Sequence, residues 1–346
     1  MLYRTVQQSR SLLNSSHHSL SADFSFDILM VRMLKNKKQK DSWWYWLTVG
    51  LIAYLIISPN TTVIKLIVGQ IEPIEFTFLR AAMIVVVSLP IVIASVRKFN
   101  RHNLMYSLAA GLCLAIATLS MAYAVKESDA SYTAVTGLLS PILLVVLSSR
   151  FMGDKISVRA AAGVAMGAAG TLVIVLAPLL LSGQTTTHFY PLATALMVIN
   201  CIFFNLNILF ARKANEAGMP LPANSGFAAL IVTAVSLIGL YAVDKGIPTN
   251  ITHLSFDTWV GLFYSGVVVV FLARIMNIAS YERVGAAATS GLNYLSAIIS
   301  VIIPVLLLGE KLSSTIVLGG ILIFIGVFLT EKHRTKHHHH QYLHAH

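Results

Sequence analysis

A chain of 346 residues that is 56% hydrophobic and only 11% charged cannot clothe itself in the polar surface a water-soluble domain needs. Its mean hydropathy of +0.74 comes with recurrent apolar runs of about twenty residues, each able to cross a hydrocarbon core of about 30 Å. The fold class expected is all-α and polytopic in a membrane. The net charge of +11 would suit nucleic acid or anionic lipid, but its placement along the chain fits membrane orientation instead.

Residues 1–42 are polar and end in a basic run, Arg32, Lys35, Lys37, Lys38 and Lys40; they read as a disordered cytoplasmic tail. No long apolar stretch of a secretory signal is visible in them. The aromatic run Trp43-Trp44-Tyr45-Trp46 then marks a membrane interface. Ten transmembrane helices are expected after it, at 46–67, 74–96, 104–125, 130–150, 158–181, 190–211, 225–244, 256–280, 285–308 and 314–330. A His-rich cytoplasmic tail, 332–346, closes the chain; it reads as a purification remnant or low-complexity tail. Cys113 and Cys201 fall inside apolar runs and are too few for a disulfide framework.

The chain repeats itself. Thr133/Thr289, Leu139/Leu295, Ser140/Ser296, Ile142/Ile298, Val145/Val301, Gly153/Gly309, Lys155/Lys311, Ser157/Ser313, Gly163/Gly319 and Gly170/Gly326 are identical at one offset of 156. A duplicated unit follows, with a first five-helix repeat over 43–181 and a second over 190–331. Five spans is an odd number, so the second half is expected upside down relative to the first, about a pseudo-two-fold axis in the membrane plane. With both termini cytoplasmic, 19 of the 25 Lys and Arg fall on the inside and only Lys126, Lys245 and Lys311 on the outside, a strong positive-inside bias. Asn250-Ile251-Thr252 is a glycosylation sequon on an expected outside loop, relevant in a eukaryotic host.

Polar residues are costly inside a bilayer, so their grouping points to a pathway. Thr133, Thr136 and Ser140 share one helical face; so do Ser290, Asn293, Ser296 and Ser300, and so do Tyr54, Ser58, Thr61 and Lys65. Asn200 and Asn207 share a face while Asn205 points elsewhere. These stripes are either interhelical glue or the lining of a wet central cavity; four of them together favour the cavity. Arg80 lies roughly 9 Å into the second span, where it either snorkels to the outer interface or holds a carboxylate or phosphate in the cavity. Lys65, about 28 Å along the first helix from Trp46, fits snorkelling better. Arg274 shares a face with Asn277 and Tyr281 and either lines the cytoplasmic mouth or anchors its helix. Asp and Glu all fall near span ends, and cations without anions in the spans favour an anionic or zwitterionic substrate.

Pro59, Pro141 and Pro304 interrupt spans one, four and nine, each removing a helical hydrogen bond. Gly163, Gly167 and Gly170, like Gly319 and Gly326, form close-packing faces, within the bundle or at a homodimer contact. No phosphate loop, nucleophile elbow or paired His/Glu metal motif appears, so no catalytic residue, metal or cofactor is expected, and His102, His188 and His253 read as solvated.

Two five-span halves, each closing with an apolar helix, a Gly-Asp/Glu-Lys turn and a Gly-rich helix, resemble the drug/metabolite transporter superfamily, specifically EamA-type carriers with two tandem EamA repeats. Phe78-Leu79-Arg80-Ala81-Ala82 and Pro141 match that family's pattern; Ala297, opposite Pro141, and Ile57-Ser58, where the family carries Trp-Gly, depart from it. The resemblance covers about residues 46–331. It implies alternating access around a central cavity lined by spans one to four and six to nine. The expectation is therefore a secondary transporter of a bacterial inner membrane, exporting a small amino acid or related metabolite. Its partners are a small-molecule substrate and the lipid bilayer, with no nucleic acid. Arg80 orients the substrate's anion in that scheme; Asn60, Thr133, Asn207, Asn293, Tyr294 and Arg274 complete the candidate cavity. A proton-coupled multidrug exporter is the runner-up, and a membrane-embedded enzyme or sensor the alternative of another class.

Overall fold

The computed structural model describes residues 43–152, 158–180, 190–243, 254–284 and 286–342. The tail 1–42, the turn 153–157 and the sequon 250–252 lie outside them. Every regular element described is helical: α1 (Trp43–Ile57), α2 (Asn60–Val68), α3 (Pro73–Ser95), α4 (Arg101–Glu127), α5 (Ala130–Gly137), α6 (Leu139–Met152), α7 (Val158–Leu180), α8 (Pro191–Glu216) and α9 (Leu221–Ala242). Then come α10 (Phe256–Phe263), a π-helical segment (Tyr264–Ala273), α11 (Arg274–Val284), α12 (Ala286–Leu308) and α13 (Ser314–Tyr342), with a short 3-10 turn, Val96–Lys98, after α3. The chain divides into an N-terminal unit, Met1–Trp46, and a main unit, Leu47–His346. In the first, the rings of Tyr45 and Trp46 meet edge to face with 5.2 Å between centroids.

Local chemistry sets the boundaries. Glu72 and Glu75 form a reciprocal capping box ahead of α3, with Pro73 at its first position, where a missing N–H costs nothing. Asn100 caps α4 through Asn103 N–H at 2.8 Å. The first span is cut at Ser58-Pro59 into α1 and α2. Pro141 cannot donate to the carbonyl of Gly137 and its ring crowds that carbonyl; the fourth span accordingly divides into α5 and α6 around Leu138. Pro304, expected to interrupt the ninth span, stands inside α12 without dividing it. The last helix runs on to Tyr342, past the expected end at 330.

Among the described residues, seven helices are long and apolar enough to cross a membrane; three shorter apolar helices, Ala161–Ile174, Leu295–Leu308 and Ser314–Leu329, fall where spans five, nine and ten were expected. Large apolar side chains such as Val86, Ile238 and Leu306 point outward. Between helices, buried clusters of large apolar side chains such as Ile64, Phe76 and Leu262 are joined by close contacts of small residues and amides, which let helices approach where lipid is as apolar as leucine. A Cβ added to Gly319 would lie 2.7 Å from Gly170 O, and one added to Gly326 only 2.6 Å from Gly163 O. Numbers fall along α7 as they rise along α13, so the two helices run antiparallel. Moreover, the offset of 156 exchanges one contact with the other, Gly163 for Gly319 and Gly170 for Gly326.

The same reasoning gives other directions. Asn200 Nδ2 donates to Ala117 O and Asn207 Nδ2 to Ala110 O, both at 2.8 Å, so α4 and α8 are antiparallel. Gly226 meets Ser88 and Gly239 meets Ile74; α3 and α9 are antiparallel too. Ser107 donates to Asn224 Oδ1 at 2.6 Å, and Gly111 packs on Ile231, which makes α4 and α9 parallel.

Candidate functional site

Two breaks in regular helix meet in space beside Arg80. The first is the interruption at Ser58-Pro59, which frees carbonyls at the end of α1. Tyr264, opening the π-helical segment, donates its hydroxyl to one of them, Ile56 O. Ser58 Oγ and Ser296 Oγ of α12 are 2.9 Å apart, and Ser296 Oγ also reaches Tyr54 O at 3.4 Å. One residue beyond Tyr264, Ser265 accepts a long bond of 3.4 Å from Arg80 Nη1. The broken first span, the π segment and Arg80 are thus linked residue by residue. π-Helical geometry inside a longer helix is frequent at functional sites.

Arg80 is 7% exposed. Its guanidinium carbon stands 5.1 Å from the centre of the Phe76 ring, one turn earlier on α3, in a cation–π arrangement. A Cβ on Gly266 would come within 3.0 Å of Arg80 Cγ and 3.1 Å of Arg80 O, so glycine is what allows the π segment this close. Neither ion pair among the described residues involves Arg80: they are Lys126–Glu72 and Arg212–Glu216. A guanidinium carries five donors; among the described residues one of them finds an acceptor, at 3.4 Å.

The other expected cavity residues are distributed as follows. Asn60 begins α2 at the break, and its Oδ1 is buried with no hydrogen-bond partner among the described residues. Asn207 Oδ1 is likewise buried and unpartnered, while its amide nitrogen binds α4. Thr133 Oγ1 donates to Ala130 O at 2.9 Å and Thr136 Oγ1 to Tyr132 O at 2.9 Å. Their hydroxyl protons are therefore committed to their own helix, the usual fate of a mid-helix Thr. Arg274 is half-buried where the π segment passes into α11. Asn293 and Tyr294 belong to α12, and their side chains lie outside the described residues.

Lys65 does not snorkel to open solvent. Its ammonium donates to Ser128 O at 2.6 Å, Val125 O at 2.9 Å and Lys126 O at 3.3 Å, capping the C-terminal carbonyls of α4 where a cation is favoured. A cavity of about 250 Å³ opens beside Lys65, Val68, Gly69 and Lys126; Arg80 does not line it. Phe76, Ser265 and Gly266 were missed in the sequence reading. Phe76, four residues before Arg80, was the one findable signal. Among the described residues no group of three or more His, Cys, Asp or Glu is placed to hold a metal.

The model of the EamA-like transporter family matches residues 44–176 and again 191–331. The chain belongs to the EamA-like transporter family. It carries two tandem EamA repeats and is a multi-pass membrane transporter of the drug/metabolite transporter type. Among solved structures, 28 chains match. One, described as "Crystal structure of protein", aligns at TM-score 0.54 and 17% identity, over 82% of this chain and 95% of its own; at that identity the likeness is one of fold. A search of curated proteins returns no match.

Proposed function

We propose that this EamA protein is a ten-span secondary carrier of the cytoplasmic membrane, built from two inverted five-span repeats, 43–181 and 190–331, with both termini inside. It exports a small amino acid or related metabolite, anionic or zwitterionic, by alternating access. The directions of the helix pairs support the inversion. If spans alternate, α7 and α13 (spans five and ten), α4 and α8 (three and six), and α3 and α9 (two and seven) must each be antiparallel, while α4 and α9 must be parallel. The glycine and asparagine contacts agree in all four cases. The positive-inside count supports the orientation.

The observation that carries the substrate class is Arg80, a buried guanidinium with a ring beneath it and, among the described residues, one long hydrogen bond. A buried charge left unmatched is expensive, and a substrate carboxylate taken in bidentate fashion removes that cost. Asn60 and Asn207, each with a buried amide oxygen that has no hydrogen-bond partner among the described residues, are acceptors suited to an ammonium group on the same substrate. Rocking of one repeat against the other then exposes a midplane site to each side in turn.

The test is counterflow of labelled amino acids in proteoliposomes, with and without imposed pH and sodium gradients. Arg80→Leu is expected to reduce carboxylate transport at least about 30-fold, the loss of one buried charge-assisted contact. Arg80→Lys retains part of it, because an ammonium cannot fork. Carboxylate flux unchanged in Arg80→Leu removes Arg80 from the site. Flux of cationic dyes driven by a pH gradient, with none of amino acids, replaces this reading by a multidrug exporter.

A further inference from the structure

The N-terminus of α5 is capped by the wrong carboxylate. Asp129 is its N-cap residue, yet its side chain makes no capping bond; Asp129 Oδ2 instead accepts from the Tyr190 hydroxyl at 3.1 Å. The first two N–H groups of α5 go to Glu310, Ala130 N–H to Oε1 at 2.7 Å and Ser131 N–H to Oε2 at 2.8 Å. Glu310 lies 180 residues away from Ala130, in the turn between α12 and α13 that belongs to the other repeat. Gly309, at φ +66°, gives that turn a left-handed residue immediately before Glu310.

Three features separate this contact from an ordinary cap. It crosses from the second repeat to the first. It grips α5, an eight-residue helix that is separate from α6 at the turn before Pro141. It also leaves a competent capping residue, Asp129, engaged elsewhere.

Helix N-terminal N–H groups need an acceptor wherever water is excluded. Around α5 water is excluded: Tyr132 and Ser131 are each 1% exposed, and the Tyr132 hydroxyl is bonded to Thr194 of α8. If this end of the bundle opened, water and the freed Asp129 would both become available to α5, and Glu310 could leave at little cost.

We propose that Glu310 is a latch between the repeats. Its carboxylate on α5 holds this end of the pathway shut, and Asp129 takes over the cap when that end opens. The proposal rests on the alternating-access reading, but it names an element of the gate that neither the family nor the substrate specifies.

Labelling tests it without any substrate, so a failure to find transport leaves it readable. Cys113→Ala and Cys201→Ala provide the background. Thr133→Cys on α5, 1% exposed, reports this end, and Ser95→Cys, at the far end of α3, reports the other. Both are followed with a charged maleimide on protein in lipid nanodiscs. Glu310→Ala is expected to raise the Thr133→Cys rate at least about threefold without raising that of Ser95→Cys. Glu310→Gln, which keeps one acceptor oxygen, falls between, and Tyr190→Phe, which releases Asp129 to cap α5, raises the rate less than Glu310→Ala. Unchanged Thr133→Cys labelling in Glu310→Ala protein that elutes like the parent overturns the latch. So does a rise of equal size at both reporters, which would mean general loosening. Should Glu310→Ala fail to fold, Glu310→Gln and Tyr190→Phe decide: parental rates in both overturn it.

Discussion

Gly326→Ala tests the α7–α13 contact most directly. The added methyl would sit 2.6 Å from Gly163 O, 2.8 Å from Gly167 N and 3.2 Å from Gly167 Cα, all backbone atoms that no rotamer change can withdraw. Ordinary contact begins near 3.4 Å, so the helices must part by the order of 1 Å. A gap of that size forfeits a quarter to a half of each dispersion contact along the seam, and overpacking of this kind costs about 1–3 kcal/mol. That is about a 5- to 150-fold shift in the unfolding equilibrium. The assay is reversible unfolding in mixed micelles titrated with a denaturing detergent. Gly69→Ala is the control, because its methyl meets nothing closer than 3.5 Å; it should change stability by less than about 0.5 kcal/mol. Gly170→Ala, whose methyl would meet Gly319 O at 2.6 Å, should cost about as much as Gly326→Ala, since the repeat exchanges the two sites. If Gly326→Ala is no less stable than Gly69→Ala, the antiparallel backbone contact is wrong, and with it the strongest support for inverted repeats.

Lys65→Ala leaves three carbonyls of the α4 C-terminus without their donor and should destabilise the protein by about 1.5–3 kcal/mol in the same titration. Lys65→Arg, whose planar fork fits three converging carbonyls poorly, should recover only part of that. Asn200→Ala and Asn207→Ala should each cost about 0.6–2 kcal/mol, and the double variant should lose close to the sum. Lys126→Ala breaks an ion pair whose side chains are 35% and 40% exposed; a change of no more than about 1 kcal/mol is expected, so a larger loss would show that Lys126 supports the Lys65-capped turn as well.

What the sequence made legible was periodicity. Asn200 and Asn207 are seven residues apart, so a shared face followed from helix geometry, and both do bind α4. Their acceptors, Ala117 O and Ala110 O, are backbone groups of another helix and leave no mark on side-chain pattern. The glycine faces were readable for the same reason; that the two faces meet each other was not, and only the fold supplies it. Arg80 was conspicuous as a cation inside an apolar run. Its neighbours Ser265 and Gly266 were not, because they reach it from 185 and 186 residues away through a π-helical segment that apolar valines do not announce. Thr133 and Thr136 show the opposite failing: the face they share was evident, but spacing cannot say that a hydroxyl turns back to its own carbonyl. Lys65 was rightly placed near a helix end, and only the fold could supply the carbonyls it caps.

The ten π-helical residues ahead of Arg274 bear on how relatives of this chain are aligned. In an α-helix, removing one residue swings everything downstream by about 100°. Within Tyr264–Ala273 the coil is already wider than α, so a relative one residue shorter there would tighten the winding and keep the span. Such a relative would leave Ser265 beside its arginine and the residue aligned with Arg274 on its present face, because the tighter winding takes up the missing residue. Length polymorphism in this stretch would then be a change of winding, with both ends of the span left where they are.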